Sequence, residues 1–522
     1  MKEKSMNDSC DATAASRSPL GRRAFLGGVG AAALGVTGLG SLSLLTGATL
    51  APAAAAPAIP EADKDPLDLL RRMLSFDTQN SGKGAKTRPY AEMLKSVWDS
   101  AGVPAEIIDT PQPDNVHLIA RIPGTSSSAA PLLMLGHSDV VPVERKEWSV
   151  DPFSGTVRGG EIYGRGALDM KGANSATISA LLRHVSEGAR FERDIIVLTD
   201  CDEEAGSYGS QWLAKKHWNK VNAGMVLTEG GWFLAQQDRT TPMLITVTRQ
   251  DKVYFNLDLT AHGTATHSSK PTADAAIVTL SRAIADLGSW LAPVHLTDVT
   301  REYFAALAKA TDDVKLARAI KLMLAARGQE ARERAARVVV SKSSYPSLHQ
   351  ALLRTTHACV IENAGYKENV IPSSATVRIN CRGIPGGQKP REFLAQVREM
   401  TGRRDVRVAL ATPEGKTEKQ YLDELDEKWA TPPADIDTPL YRALADAASD
   451  TYPDAVFAPA LFEAGTSLAP WRERGIPGYG VYPYVLSNDQ LVAMHGNDER
   501  IYVEALRQGT AFMHKMFSRF LH

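Results

Sequence analysis

Three short apolar runs in this chain each stop at a residue able to bind a cation. Leu132-Leu133-Met134-Leu135-Gly136 leads into His137, Ile195-Ile196-Val197-Leu198-Thr199 into Asp200, and Met225-Val226-Leu227-Thr228 into Glu229. Such runs, separated by helical patterns at 172–188 and 207–217, read as parallel strands buried on both faces and joined by crossover helices. Loops leaving the C-terminal ends of such strands meet in one crevice, so ligands far apart in sequence can converge there. The expected fold class is α/β.

At 522 residues the chain exceeds the size at which one hydrophobic core stops growing, so two domains are expected. Amphipathic stretches at 66–76 and 89–101 and strands at 105–108 and 116–122 continue the α/β pattern. After about Thr248 the pattern changes. An alternating strand at 253–259, a helix at 274–290, strands at 357–362 and 375–381, a helix at 390–400 and a strand at 406–410 follow in the order β-α-β-β-α-β, the ferredoxin-like unit. The expected partition is a catalytic domain of residues 61–248 and 413–522 with residues 249–412 inserted into it. Within the insert, 291–347 is an additional helical segment with a solvated basic face. A helix at 439–449, a strand at 478–481 and a helix at 499–520 complete the catalytic domain.

Lys plus Arg number 59 against 60 Asp plus Glu, which leaves no electrostatic footprint for nucleic acid or an anionic membrane and points to a small-molecule partner. Residues 1–58 carry Gly21-Arg22-Arg23-Ala24-Phe25-Leu26, a weakly apolar Gly/Ala-rich stretch and a small-residue run. This resembles a twin-arginine signal peptide, expected to be removed and to place the protein in the periplasm or outside a bacterial cell. The other reading, a membrane anchor, is weakened by Gly28, Gly30, Gly35, Gly38 and Gly40. Three of the four cysteines follow the signal, Cys201, Cys359 and Cys381, which is no disulfide framework. Two unpaired core cysteines at 359 and 381 are preferred over an oxidised cross-strand pair.

In His137-Ser138-Asp139 an extended backbone turns His137 and Asp139 to the same side. Asp139 can accept the imidazole N–H, which fixes the tautomer and raises the basicity of a metal-bound histidine. Gly164-Arg165-Gly166-Ala167-Leu168-Asp169-Met170-Lys171-Gly172 ends at a helix start, where Asp169 can bridge two cations or simply cap the helix. Asp200, Asp202, Glu203 and Glu204 crowd behind a buried strand, and such a cluster repels itself unless cations are present. Adjacent carboxylates can divide the labour, Glu204 as a ligand and Glu203 as the base that takes a proton from water. Glu229 and His495 supply the remaining ligands. Each residue taken singly has an ordinary reading, as a polar residue closing a strand or opening a helix; together they describe a two-metal hydrolase. Coordination can bring the pKa of water from 15.7 to about 7.

The strings GHSDVVPV, EWSVDPFSG, IYGRGALDMKG, TDCDEEAG, LTEGG and MHGNDERI, in that order, resemble metallopeptidase family M20, comprising aminoacylases, glutamate carboxypeptidases and related dipeptidases and deacylases. The resemblance implies a di-zinc aminopeptidase-like catalytic domain with a mixed, largely parallel sheet, plus an inserted α+β ferredoxin-like lid and dimerisation domain. It implies that Asp169 bridges two zinc ions, that His137 and Glu229 complete one, that Glu204 and His495 complete the other, and that Glu203 is the general base. Cobalt or manganese can substitute for zinc at such donors. His267 matches a histidine that reaches into the partner subunit's active site to stabilise the oxyanion, in a homodimer formed through the inserted domain. Asn369 matches a residue near the reacting carbonyl, and Arg382 one that holds the substrate's free carboxylate, a task suited to its planar fork. Gly465-Thr466-Ser467 resembles the loop beside that carboxylate, with Ala464 and Leu468 departing from the family pattern. The implied activity is hydrolysis of an amide or peptide bond adjacent to a free carboxylate, on a small peptide or an N-acyl amino acid. EWSVDPFSG and the long insertion resemble the carboxypeptidase and N-acyl-amino-acid hydrolase branch. A zinc dipeptidase and a catalytically silent binding protein are the alternatives.

Overall fold

A computed structural model describes residues 58–402 and 405–522; of the export-signal reading, residues 1–57 lie outside the described residues. A ten-stranded sheet runs in the order Ala105–Asp109, Val116–Ile122, Ile195–Asp200, Leu132–His137, Met225–Thr228, Gly478–Gly480, Pro242–Asp251, Phe233–Ala235 and Val485–Leu486, with Val456–Phe462 also paired to Pro242–Asp251. Leu132–His137 lies parallel to both Ile195–Asp200 and Met225–Thr228, in a register that sets His137 opposite Asp200. Antiparallel pairs at Val116–Ile122 and around Pro242–Asp251 make the sheet mixed.

All residues of the three strands that end at the acids and histidine are buried. Alternation along Leu132–His137 explains how. Leu132 and Met134 pack with Ile178, Leu181, Phe512 and Met513 of helices Lys171–Ser186 and Val503–Ser518. Leu133 and Leu135 face the other way, toward Leu213 and Val221 of helix Ser210–Val221. Each such side chain contributes about 1.5–3 kcal/mol by leaving water, so helices on both faces pin the strand ends in place.

A second, four-stranded antiparallel sheet has the order Thr356–Ala364, Ser374–Gly383, Val253–His262, Val406–Leu410. With helices Ala276–Ser289 and Pro390–Gly402 it forms the expected β-α-β-β-α-β unit. Phe255, Leu257, Leu259, Val377 and Ile379 meet Leu280, Leu287, Phe393 and Val397 on its covered face.

The packing departs from the sequence reading in four places. The extra segment forms helices Asp298–Ala310, Val314–Ala325, Gln329–Lys342 and Pro346–Leu353, and its apolar stripe of Tyr303, Phe304, Leu307, Ile320 and Met323 packs with Leu234, Leu244, Ala458 and Ala460 of the large sheet. Helix Glu418–Trp429 sends Leu422, Leu425 and Trp429 into the core of the small sheet, so the chain leaves that sheet after Trp429 rather than near Pro413. Strands Pro242–Asp251 and Val456–Phe462 were not expected; Thr246, Thr248, Arg249 and Gln250 break the apolar run of the first and Pro459 that of the second. Cys359 and Cys381 are both free, and Cys359 is exposed rather than in the core; the register sets Cys381 opposite His357 and Cys359 opposite Ile379.

Where the chain passes between the two sheets it is clasped. Lys252, between strands Pro242–Asp251 and Val253–His262, donates to Arg354 O at 2.9 Å and Thr356 Oγ1 at 3.3 Å. Arg354 Nη1 donates to Ala292 O at 2.8 Å, Gln250 Nε2 to Thr431 O at 3.1 Å, and Ala434 N to Arg249 O at 2.8 Å.

Candidate metal centre

Asp169 is the midpoint of the site. Its Oδ1 lies 3.0 Å from His137 Nε2 and its Oδ2 3.1 Å from His495 Nε2. Glu229 Oε2 stands 3.8 Å from His137 Nε2, and Glu204 Oε1 3.4 Å from His495 Nε2. Two donor groups therefore share one carboxylate: His137, Asp169 and Glu229 on one side, Asp169, Glu204 and His495 on the other, each within 4.8 Å.

The local sequence sets these positions. Asp169 precedes helix Lys171–Ser186 on a loop whose backbone N–H groups are gathered by one carboxylate. Glu499 Oε1 accepts from Gly166 N at 3.1 Å, Leu168 N at 2.8 Å and Asp169 N at 3.0 Å, while its Oε2 takes Arg165 Nη1 at 2.5 Å. His495 sits at φ 61°, a left-handed conformation that costs a non-glycine residue on the order of 1–3 kcal/mol and recurs at functional sites.

Asp139 acts on both halves. His137 Nδ1 is 2.8 Å from Asp139 O and 3.6 Å from its Oδ1, while the two Asp139 oxygens accept the backbone N–H groups of Glu203 and Glu204, each at 3.1 Å. Asn80 Nδ2 donates to Asp139 Oδ2 at 2.8 Å and to Asp202 Oδ1 at 2.5 Å, and Tyr482 donates into the pair Glu229 and Asp169. Asn80, Tyr482 and Glu499 had no role in the sequence reading. Nothing local marks them, since each acts on residues far from it in sequence, 59 positions away at the nearest.

The protonation pattern is that of acids crowded together out of water. Burial and then repulsion by Asp169 lift Glu229 to about 7, against hydrogen bonds from His137 and Tyr482. Burial and then Glu229 push Glu203 well above the ordinary glutamate range. Burial alone would raise Asp169, but hydrogen bonds from His137 and His495 hold it well below. Burial opposes charging of His495, yet Asp169 and Glu204 lift it to about 11. Glu204 Oε1 is buried and accepts no hydrogen bond. Oxygen and imidazole donors in this number, one of them unsatisfied, fit divalent cations and contain no thiolate.

The other candidate residues fall into two further groups. His267 pairs with Val370 on a short ribbon, and Ser268 N donates to Asn369 O at 3.1 Å, so His267 and Asn369 are neighbours. Both are exposed, and His267 Nδ1 lies 2.9 Å from Ser269 Oγ; among the described residues no hydrogen bond joins either to the donor cluster. Arg382 lies beside Gly465, where an added Cβ would stand 4.0 Å from its Nη1. Thr466 Oγ1 is held by Asp251 Oδ2 at 2.6 Å and lines, with Glu203, a cavity of about 170 Å³.

The profile of peptidase family M20/M25/M40 matches residues 133–519, most of the chain. The chain belongs to this family. As a family M20 member it is a metal-dependent hydrolase. A protein of Dictyostelium discoideum named "Probable carboxypeptidase S-like 2" is 27% identical over 412 residues, 77% of this chain and 74% of its own. The human N-fatty-acyl-amino acid synthase/hydrolase PM20D1 is 25% identical over 471 residues, covering 88% and 87% of the two chains. In fold, the M20 family metallo-carboxypeptidase Sso-CP2 of Sulfolobus solfataricus superposes with TM-score 0.60 at 19% identity over 87% of this chain and 99% of that one.

Proposed function

We propose that this M20 hydrolase cleaves an amide or peptide bond adjacent to a free carboxylate, as a carboxypeptidase or N-acyl-amino-acid amidohydrolase. The observation that carries the reading is Asp169, whose two oxygens each face a different histidine. On this reading His137, Asp169 and Glu229 hold one divalent cation and Asp169, Glu204 and His495 a second, with zinc the expected ion. Bound there, such ions polarise a carbonyl and bring the pKa of water toward about 7.

The chain's own groups do the rest. Glu203, its backbone fixed by Asp139, takes a proton from the attacking water and returns it to the departing amine. Arg382, beside Gly465, holds the free carboxylate as a planar fork, and the adjoining Thr466 lines the cavity that Glu203 also lines. The carboxypeptidase and N-fatty-acyl-amino acid names of the relatives support this over a dipeptidase, for which the support is structural likeness at 16% identity to the yeast di-peptidase Dug1p.

We further infer a homodimer in which His267 serves the partner subunit's site. In support, strand Thr356–Ala364 is an uncovered edge of the small sheet, Val360 and Ile361 are each 54% exposed, and His267 has no partner in its own metal centre. An unpaired apolar edge is a template for a second chain. Export by the twin-arginine route is proposed from Arg22-Arg23 and the stretch after it.

A panel of N-acyl amino acids, C-terminally free peptides and dipeptides, assayed with zinc, cobalt or manganese, tests the reading. Glu203→Gln is expected to lower kcat by about 10²–10⁴-fold with bound metal unchanged; full activity in that variant refutes its role.

A further inference from the structure

Tyr482 is fully buried in the loop between strands Gly478–Gly480 and Val485–Leu486. Its hydroxyl lies 2.7 Å from Glu229 Oε2 and 3.0 Å from Asp169 Oδ1. Those are the two oxygens that face His137 Nε2, at 3.8 and 3.0 Å. Among the described residues the hydroxyl makes no hydrogen bond to Glu204 or His495.

The ring cannot turn away. It stacks on the Trp232 indole with centroids 4.6 Å apart and planes 6° from parallel, and the indole Nε1 is fixed in turn by Glu463, at 2.9 and 3.1 Å from the two carboxylate oxygens. The donor half around Glu204 has no such support. Glu204 Oε1 is buried without a hydrogen bond, and the His495 side chain is 45% exposed.

We propose that Tyr482 is a positioning residue for one cation position alone, the one formed by His137, Asp169 and Glu229, and that it makes the two positions unequal in affinity. The proposal rests on the two-cation reading above. A phenol carries one proton, which it gives to the shorter contact, Glu229. Held by that bond, Glu229 keeps one oxygen beside His137 instead of sampling other rotamers. Partners that orient ligands in this way change metal affinity by about 10–100-fold.

The test compares Tyr482→Phe with Tyr484→Phe. Tyr484 is equally buried, but its hydroxyl donates at 2.7 Å to Leu168 O and to no donor side chain of the centre. Metal-free wild type and both variants are titrated with Co²⁺ against a chelator, following the visible cobalt absorption, and the metal-free proteins are melted in parallel. Wild type is expected to bind two ions. Tyr482→Phe should weaken one dissociation constant by about 10–100-fold and leave the other in place, while Tyr484→Phe leaves both. Trp232→Phe, which loosens the stack and keeps the hydroxyl, should weaken the same constant by less, and it decides the matter should Tyr482→Phe melt early. Unchanged constants in Tyr482→Phe, an equal loss at both positions, or the same loss in Tyr484→Phe overturns the proposal. Fewer than two ions on wild type overturns the two-cation reading itself, and the proposal with it.

Discussion

A single lysine shows how strongly position governs chemistry in this chain. Burial pushes Lys252 down to about 7, with Glu463 opposing and Arg382 reinforcing the shift. Between that value and the ordinary lysine value near 10.4, the unfolded chain holds a proton that the folded chain lacks. Stability therefore rises with pH across this window, at about 1.4 kcal/mol per unit from this group, and is lost as pH falls toward 7. Relative to Lys252→Met, wild type should gain roughly 2 to 3 kcal/mol between pH 7.5 and 9.5, measured by urea denaturation; parallel curves would exclude the lysine as the source. At the same scale, His137 and Glu229 were legible because each closes an apolar run, and Glu204 because it belongs to the acidic cluster that follows another. Tyr482 was not, because its role depends on which carboxylates the fold brings under its hydroxyl.

At the scale of elements, the loop carrying Asp169 is held less by its glycines than by Glu499. This carboxylate is wholly buried and takes three backbone N–H groups and the Arg165 guanidinium. Neutralising it leaves Arg165 as an uncompensated buried charge, which costs about 3–5 kcal/mol. Glu499→Gln should lower the unfolding free energy of the metal-free protein by that amount. Glu424→Gln, which breaks an exposed pair with Lys416, should cost under about 1 kcal/mol. The sequence places Glu499 in the helix at 499–520, whereas the helix spans Val503–Ser518 after a short strand, Arg500–Tyr502. A continuous helical pattern does not reveal that its first residue turns back to clamp another loop. The strands at 116–122 and 406–410 coincide with their sequence ranges, because alternation and length leave few choices there.

For the whole molecule, the proposed dimer makes the active site a shared object. Glu203→Gln and His267→Ala should each be nearly inactive alone. Mixed after dissociation and reassociation, they should recover activity, because a hybrid dimer contains one site with both residues intact. Ile361→Lys, at the exposed edge, should sediment as a monomer; a dimer that survives it would move the interface elsewhere. The ferredoxin-like order was readable from alternating patterns, but the docking of residues 298–353 on the large sheet was not, since an amphipathic helix does not say which core its stripe will join.

That docking changes how the small sheet can move. An ordinary inserted module is leashed by two strands of chain, one entering and one leaving. Here the backbone leaves for the large sheet after Ala276–Ser289 and returns at Thr356, so four segments span the gap, and Lys252, Arg354 and Gln250 lace them to one another. Four laced tethers restrain the small sheet at more points than the two of a simple insertion. On the proposed function, any shift of the small sheet that carries Arg382 relative to Gly465 would have to be accommodated by all four crossings at once.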